Sequence, residues 1–225
     1  MKRLAISFLL PIVLTGCTSS KKNDPYGATE LTTLGLTLPE GQLMIYNDPG
    51  AYFTFLIRGN HIRNTERHSL EDPLALVVDG MFLQMTTLPI SQFIDSNFSR
   101  MSDQEILEAH VRYESQYLAS LIDKDYKIYR EPLHLDNGRE SMLWMMEIEG
   151  MPTQVLISTA VRPRILLLST ALLREGEKEQ KRVLGLLMEG VGSIRRYDKP
   201  IDRFVLQDSI VKAAAVTTNA SSGGD

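Results

Sequence analysis

The chain has 225 residues, 28 acidic against 24 basic, a net charge of −4 with histidines neutral, and 43% hydrophobic residues. That composition can bury one sizeable core, and an acidic chain with no basic stripe makes a poor charge-driven partner for nucleic acid or anionic lipid. Cys17 is the only cysteine, so no disulfide framework is available.

Met1-Lys2-Arg3 precedes an apolar run, Leu4 to Val13. The run is too short to span a bilayer and has the length of a signal-peptide core. Leu14-Thr15-Gly16-Cys17 follows, and then Thr18 to Pro25, polar and turn-rich as a tether would be. This order resembles the lipobox of bacterial lipoproteins. The resemblance implies cleavage between Gly16 and Cys17, diacylglycerol on the Cys17 sulfur and an acyl chain on its new amino group. Stable anchoring takes at least two such chains. It also implies a place in the bacterial cell envelope, facing the periplasm, with membrane contact through Cys17. Thr18 is not the Asp that retains such proteins in the inner membrane of enteric bacteria, which favours the outer membrane. The expected division is a signal peptide over 1–16, a tether over 17–30, one domain over 31–205 and an unstructured extension over 206–225.

Leu34 to Leu38 alternates apolar with small or polar residues and turns at Pro39–Gly41; Asn47-Asp48-Pro49-Gly50 is a second turn. Tyr52–Arg58 is rich in aromatic and β-branched residues and predicts a strand. Gly59 to Asp72 carries Arg63, Glu66, Arg67, Glu71 and Asp72 with His61 and His68, and predicts a charged loop. Leu74–Val78 and Phe82–Thr87 are strands around Asp79-Gly80, a hairpin signal.

Ser102-Asp103-Gln104-Glu105 fits a capping box, and Ile106, Leu107, His110, Val111, Tyr117, Leu118, Leu121 and Ile122 recur at helical spacing to about residue 123. Strands follow at Tyr126–Glu131 and Arg139–Glu149, the latter apolar on both parities at its middle and so expected to lie centrally. Thr153–Val161 and Ile165–Leu173 flank Arg162-Pro163. Glu175–Arg196 predicts the last helix, in which Gly185, Gly190 and Gly192 suggest close approach to the sheet or a frayed end. From Ala213 the chain is small and polar.

The fold class is therefore α+β, a largely antiparallel sheet with helices on both faces. Four features carry a further resemblance: Leu36 to Gly41, the helix from Asp103, the strand trio from Arg139, and the run Leu186 to Ile194. Together, over residues 34–198, they resemble the α/β/α sandwich of the PsbP-like (DcrB-like) superfamily. The resemblance implies an accessory or binding protein rather than an enzyme, and transfers no functional residue.

The chemistry-bearing residues are sparse. His61 and His68 with the neighbouring acids are the only local candidates for a metal, yet the interleaved arginines repel a cation. His110 lies on the apolar side of a helix and reads as half-buried; Ser115 and Ser120 lack a nucleophile-elbow setting. Glu147 and Glu149 could act as paired acids, though alternation at a strand end explains them equally. Met142, Trp144 and Met146 could line a pocket, but core packing accounts for them better. The sequence thus points to no cofactor, metal or catalytic set. It points to a non-enzymatic envelope protein that binds or assembles another envelope component, with Gly59 to Asp72 as the contact. An envelope hydrolase or a small-ligand or metal-binding lipoprotein is the alternative.

Overall fold

The computed structural model describes residues 34–65, 74–94, 97–121, 125–174 and 176–221. Its strands are β1 (Leu34–Leu38), β2 (Gly41–Asp48), β3 (Ala51–Arg58), β4 (Ile62–Asn64), β5 (Leu74–Val78), β6 (Met81–Pro89), β7 (Tyr126–His134), β8 (Glu140–Ile148), β9 (Gln154–Val161), β10 (Arg164–Ala171) and β11 (Arg195–Tyr197). The helices are α1 (Asp103–Leu121), α2 (Glu177–Gly192) and α3 (Arg203–Ser221).

The strands form two antiparallel sheets. One runs β1-β2-β3-β11 and the other β4-β5-β6-β10-β9-β8-β7. Most connections within them are tight hairpins, as short links require. At Asp79-Gly80 both residues have positive φ, 48° and 84°, and Val78 pairs with Met81. That is the backbone a two-residue I′ turn needs, and Asp-Gly supplies it.

The two apolar parities of β8, β9 and β10 go to two separate cores. Met142, Trp144, Met146, Leu156, Ala160, Ile165 and Leu167 meet Ile106, Leu107 and Val111 of α1 on one face. Val155, Ile157, Val161, Leu166 and Leu168 meet Phe53, Phe55 and Ile57 of β3 and Val183, Leu187 and Val191 of α2 on the other. The large sheet is thus covered by α1 on one side and by α2 with the small sheet on the other. The architecture is α+β with helices on both sides of an antiparallel sheet; the second sheet is an addition to the sequence-based expectation.

A local signal explains the start of α1. Glu105 N–H donates to Ser102 Oγ at 3.2 Å, and Ser102 N–H donates to Glu105 Oε2 at 2.7 Å, the reciprocal pairs of a capping box. The Ser102 N–H, then the Ser102 hydroxyl at 2.8 Å, donate to the exposed Glu105 carboxylate and hold its pKa below the usual range. Gly190 sits where α2 comes closest to the sheet, since a Cβ there would lie 2.8 Å from Leu168 Cδ1 and 3.4 Å from Ile57 Cδ1.

Several expectations are corrected. The helix expected over 175–196 stops at Gly192, and Arg195 and Arg196 pair with Thr54 and Phe53 at the edge of the small sheet. Strand pairing captures them where the apolar helical stripe alone extended the helix. The strand expected to be central, β8, is second from the edge; β9 and β10, buried along nearly their whole length, take the interior. Residues from 206 onward, expected to lack structure, continue α3 to Ser221. Asp202 Oδ1 accepts from Phe204 N–H at 2.8 Å and Val205 N–H at 3.2 Å, an N-cap, and Ala213-Ala214-Ala215 are strong helix formers. Of the expected loop Gly59 to Asp72, Ile62–Asn64 form an edge strand on β5; residues 66–73 lie outside the described residues.

Candidate functional site: a groove between the β7–β8 turn and the end of α2

The turn after β7 is closed by its own backbone. Leu135 N–H donates to Arg139 O at 2.9 Å and Gly138 N–H to Leu135 O at 2.8 Å, with Gly138 at φ 77°. Only glycine adopts that angle without cost, which is why Asp-Asn-Gly turns here. Asn137 then acts in two directions. Its Oδ1 accepts from Arg139 N–H at 3.1 Å, and its Nδ2 donates to Gly192 O at 2.7 Å. The second bond ties the turn to the C-terminal end of α2, where the final carbonyls have no partner within the helix itself. Ser193 and Ile194 N–H donate to Glu189, Gly190 and Val191 O, and Asn137 serves Gly192 O.

Between these elements lies an open groove of about 660 Å³, with Arg58, His134, Asp136, Met188, Glu189 and Ser193 among its lining residues. Arg58 Nε stands 4.0 Å from Glu189 Oε2, both side chains more than half exposed. Such a pair contributes little to stability and leaves both charges available to a ligand. His134 Nδ1 lies 2.8 Å from Glu140 Oε1, with the imidazole 77% exposed. Ser193 Oγ accepts from Leu56 N–H at 2.7 Å and lies 2.7 Å from Gly190 O as its donor. With its proton engaged in the helix end and its oxygen on the strand, that hydroxyl closes α2 and is not poised as a nucleophile. The groove offers mixed charge and open access, which suits recognition of a polar surface.

His61 is 89% exposed; its N–H donates to Asp79 Oδ1 at 2.8 Å, and that bond leads in holding the Asp79 carboxyl below its usual range. Asp79 therefore closes the turn after β3 by accepting from Asn60 and His61. His68, Gly16 and Cys17 lie outside the described residues. Among the described residues no group of three His, Cys, Asp or Glu is placed to hold a metal ion, and no helix is long and apolar enough to cross a membrane.

His110 is buried completely rather than by half, with its ring edge-on to Phe93 at 5.4 Å and neither ring nitrogen hydrogen-bonded. Burial pushes its pKa down to about 3. Glu114 Oε1, at 3.9 Å, is beyond hydrogen-bond reach of the ring. Ser115 and Ser120 turn their hydroxyls back to Val111 O and Tyr117 O, so neither is paired with His110. β8 ends at Ile148, before Glu149, and Tyr129 OH donates to Glu147 Oε2 at 3.4 Å. Met142, Trp144 and Met146 are core, and Trp144 Nε1–H donates to Ser158 Oγ at 3.0 Å.

A second cluster went unforeseen. Arg162, in the turn between β9 and β10, places Nε 2.7 Å from Asp103 Oδ1, Nη1 3.2 Å from Phe98 O and Nη2 2.5 Å from Met101 O. It pins the start of α1 to the sheet. Arg196 Nη2 donates to Arg162 O at 3.0 Å, and Arg164 pairs with Asp48. Partial burial, then the nearby Arg196, hold the Arg139 pKa below its ordinary value, opposed by Asp103. The sequence signal was Arg-Pro-Arg at a turn, which does not name the distant partners.

No family model matches the chain, and no curated protein matches it. Among solved structures it is similar to the solution structure of cyanobacterial PsbP (CyanoP) from Synechocystis sp. PCC 6803, at 15% identity and a TM-score of 0.46, over 77% of this chain and 99% of that one.

Proposed function

We propose that this chain is a lipid-anchored protein of the bacterial cell envelope that acts without catalysis, by binding or helping to assemble another envelope component. The observation that carries the reading is Leu14-Thr15-Gly16-Cys17 behind a basic start and a short apolar run, with Cys17 the sole thiol. The contact surface is the groove together with Gly59 to Asp72, which begins next to groove residue Arg58. The exposed Arg58, Asp136 and Glu189 side chains, on a rim held by Asn137, support recognition of a polar partner.

Two measurements test this. A Cys17→Ala chain should take up no labelled fatty acid and should keep its leader; acylation of that variant would remove the anchor. Photo-cross-linkers at Asn60 and Asp136 in living cells should capture one envelope component, whereas one on the far side of the sheet, at Gln116 of α1, should not. Equal capture from all three positions would remove the groove as the contact.

A second reading, an envelope hydrolase or ligand-binding lipoprotein, has one observation in its favour, the His134–Glu140 pair at the groove rim. Ester or peptide turnover by the purified chain that disappears in His134→Ala would establish it.

A further inference from the structure

Strand β7 is one edge of the large sheet. All nine of its residues, Tyr126 to His134, pair with β8, and among the described residues nothing pairs its other side. It is the longest such edge: β1 has five residues, and β4 and β11 three each. An open edge of that length offers a row of unpaired N–H and C=O groups. Seven of its nine residues are exposed, with Tyr126 at 38% and Tyr129 at 46%.

The order of side chains along this edge is self-complementary. Lys127, Tyr129 and Glu131 share one face, because side chains alternate along a strand. A two-fold axis through Tyr129 sets Lys127 opposite Glu131 of a second copy, Glu131 opposite its Lys127, and the two Tyr129 rings against each other. On the other face the same register sets Ile128 opposite Arg130 and Tyr126 opposite Pro132. An axis at Arg130 would instead oppose two arginines, and an axis at Ile128 would leave Lys127 and Glu131 unmatched. Neither Lys127 nor Glu131 is in an ion pair among the described residues. Both charges are therefore open to a partner across the edge. Opposite charges and paired aromatics directly across an antiparallel ladder are favourable, and like charges there are not.

We propose that β7 is an interface between copies of this chain: it pairs antiparallel with β7 of a second copy about a two-fold axis at Tyr129, joining two seven-stranded sheets into one. Such a contact is isologous, closing at two copies and leaving no free edge at the join. Pro132, which lacks an N–H, stands near the end of the paired stretch, where the loss of one donor interrupts the ladder least.

The test uses the full chain in its native membranes. Tyr129→Cys places identical thiols across the axis, at a spacing a disulfide can close. Under mild oxidation it should form a covalent dimer, while Val205→Cys, on exposed α3, should give only background. Lys127→Glu and Glu131→Lys, each added to Tyr129→Cys, should slow cross-linking about tenfold by setting like charges opposite each other, roughly 1.4 kcal/mol. The Lys127→Glu/Glu131→Lys double exchange should restore the rate. All these side chains are exposed, and circular dichroism confirms that each variant is folded. Cross-linking of Tyr129→Cys no faster than Val205→Cys overturns the proposal. So do single reversals without effect, a double exchange that fails to restore the rate, or capture of a different protein.

Discussion

Replacing His110 by leucine isolates the effect of burying an imidazole. In the folded chain burial holds the pKa near 3, against 6.5 for a free histidine. The unfolded chain therefore binds one more proton than the folded chain between those two values. Stability must then rise with pH through that window and fall as pH drops from about 6.5 toward 3, at up to about 1.4 kcal/mol per pH unit. With those two pKa values the group contributes almost nothing at pH 7 and costs about 2 kcal/mol at pH 5. The leucine variant lacks the titrating group, so its stability relative to the natural chain should improve by about 2 kcal/mol on going from pH 7 to 5. At pH 7 it should be no less stable, because the two buried ring nitrogens make no hydrogen bond for leucine to lose. Urea unfolding followed by the single, buried Trp144 is the assay, with equal slopes required of both chains. A difference between the two chains that stays constant to within about 0.5 kcal/mol from pH 7 to 5 would refute the reasoning, since the proton count would then not change at this position.

The glycines of α2 should respond in opposite directions. Gly185→Ala meets nothing within 4 Å and should stabilise by up to about 1 kcal/mol through helix propensity, whereas Gly190→Ala drives a methyl into Leu168 and should destabilise by about 1 kcal/mol or more net; thermal unfolding of both variants decides it. Arg162→Ala removes the bonds to Asp103, Phe98 O and Met101 O and should cost about 2 kcal/mol. Arg162→Lys should recover little of that, because an ammonium cannot reach three acceptors as a planar fork does; equal urea midpoints for Arg162→Lys and the natural chain would show that charge alone suffices.

Signals that act within a few residues were legible along the chain. Ser102 and Glu105 placed the start of α1 because both partners of the box lie in one turn. Asp79-Gly80 placed a hairpin because the two-residue turn needs positive φ there. The apolar residues at both parities of Arg139–Glu149 announced a strand covered on two faces. The candidate groove was half legible: the strands expected at Tyr126–Glu131 and Arg139–Glu149 bracket the turn signal Asp136-Asn137-Gly138, but Met188, Glu189 and Ser193 belong to an element far along the chain, and no local pattern brings them opposite that turn. The Asp202 cap of α3 was there to be read; it was hidden by the small, polar residues that follow.

By itself the sequence determined the α+β class, the antiparallel hairpins and the cap of α1, because each rests on residue type and short spacing. Only the tertiary structure decided where α2 stops, which strands are innermost and how deeply His110 is buried. Arg195 has the same local propensity inside a helix end as outside one, and it becomes a strand because β3 offers it hydrogen bonds. An apolar residue on both parities requires two covers but does not say which strand is middle. His110 shares its helical face with Ile106 and Leu107 whatever surrounds it, and its pKa is a property of the sheet and side chains that close over it.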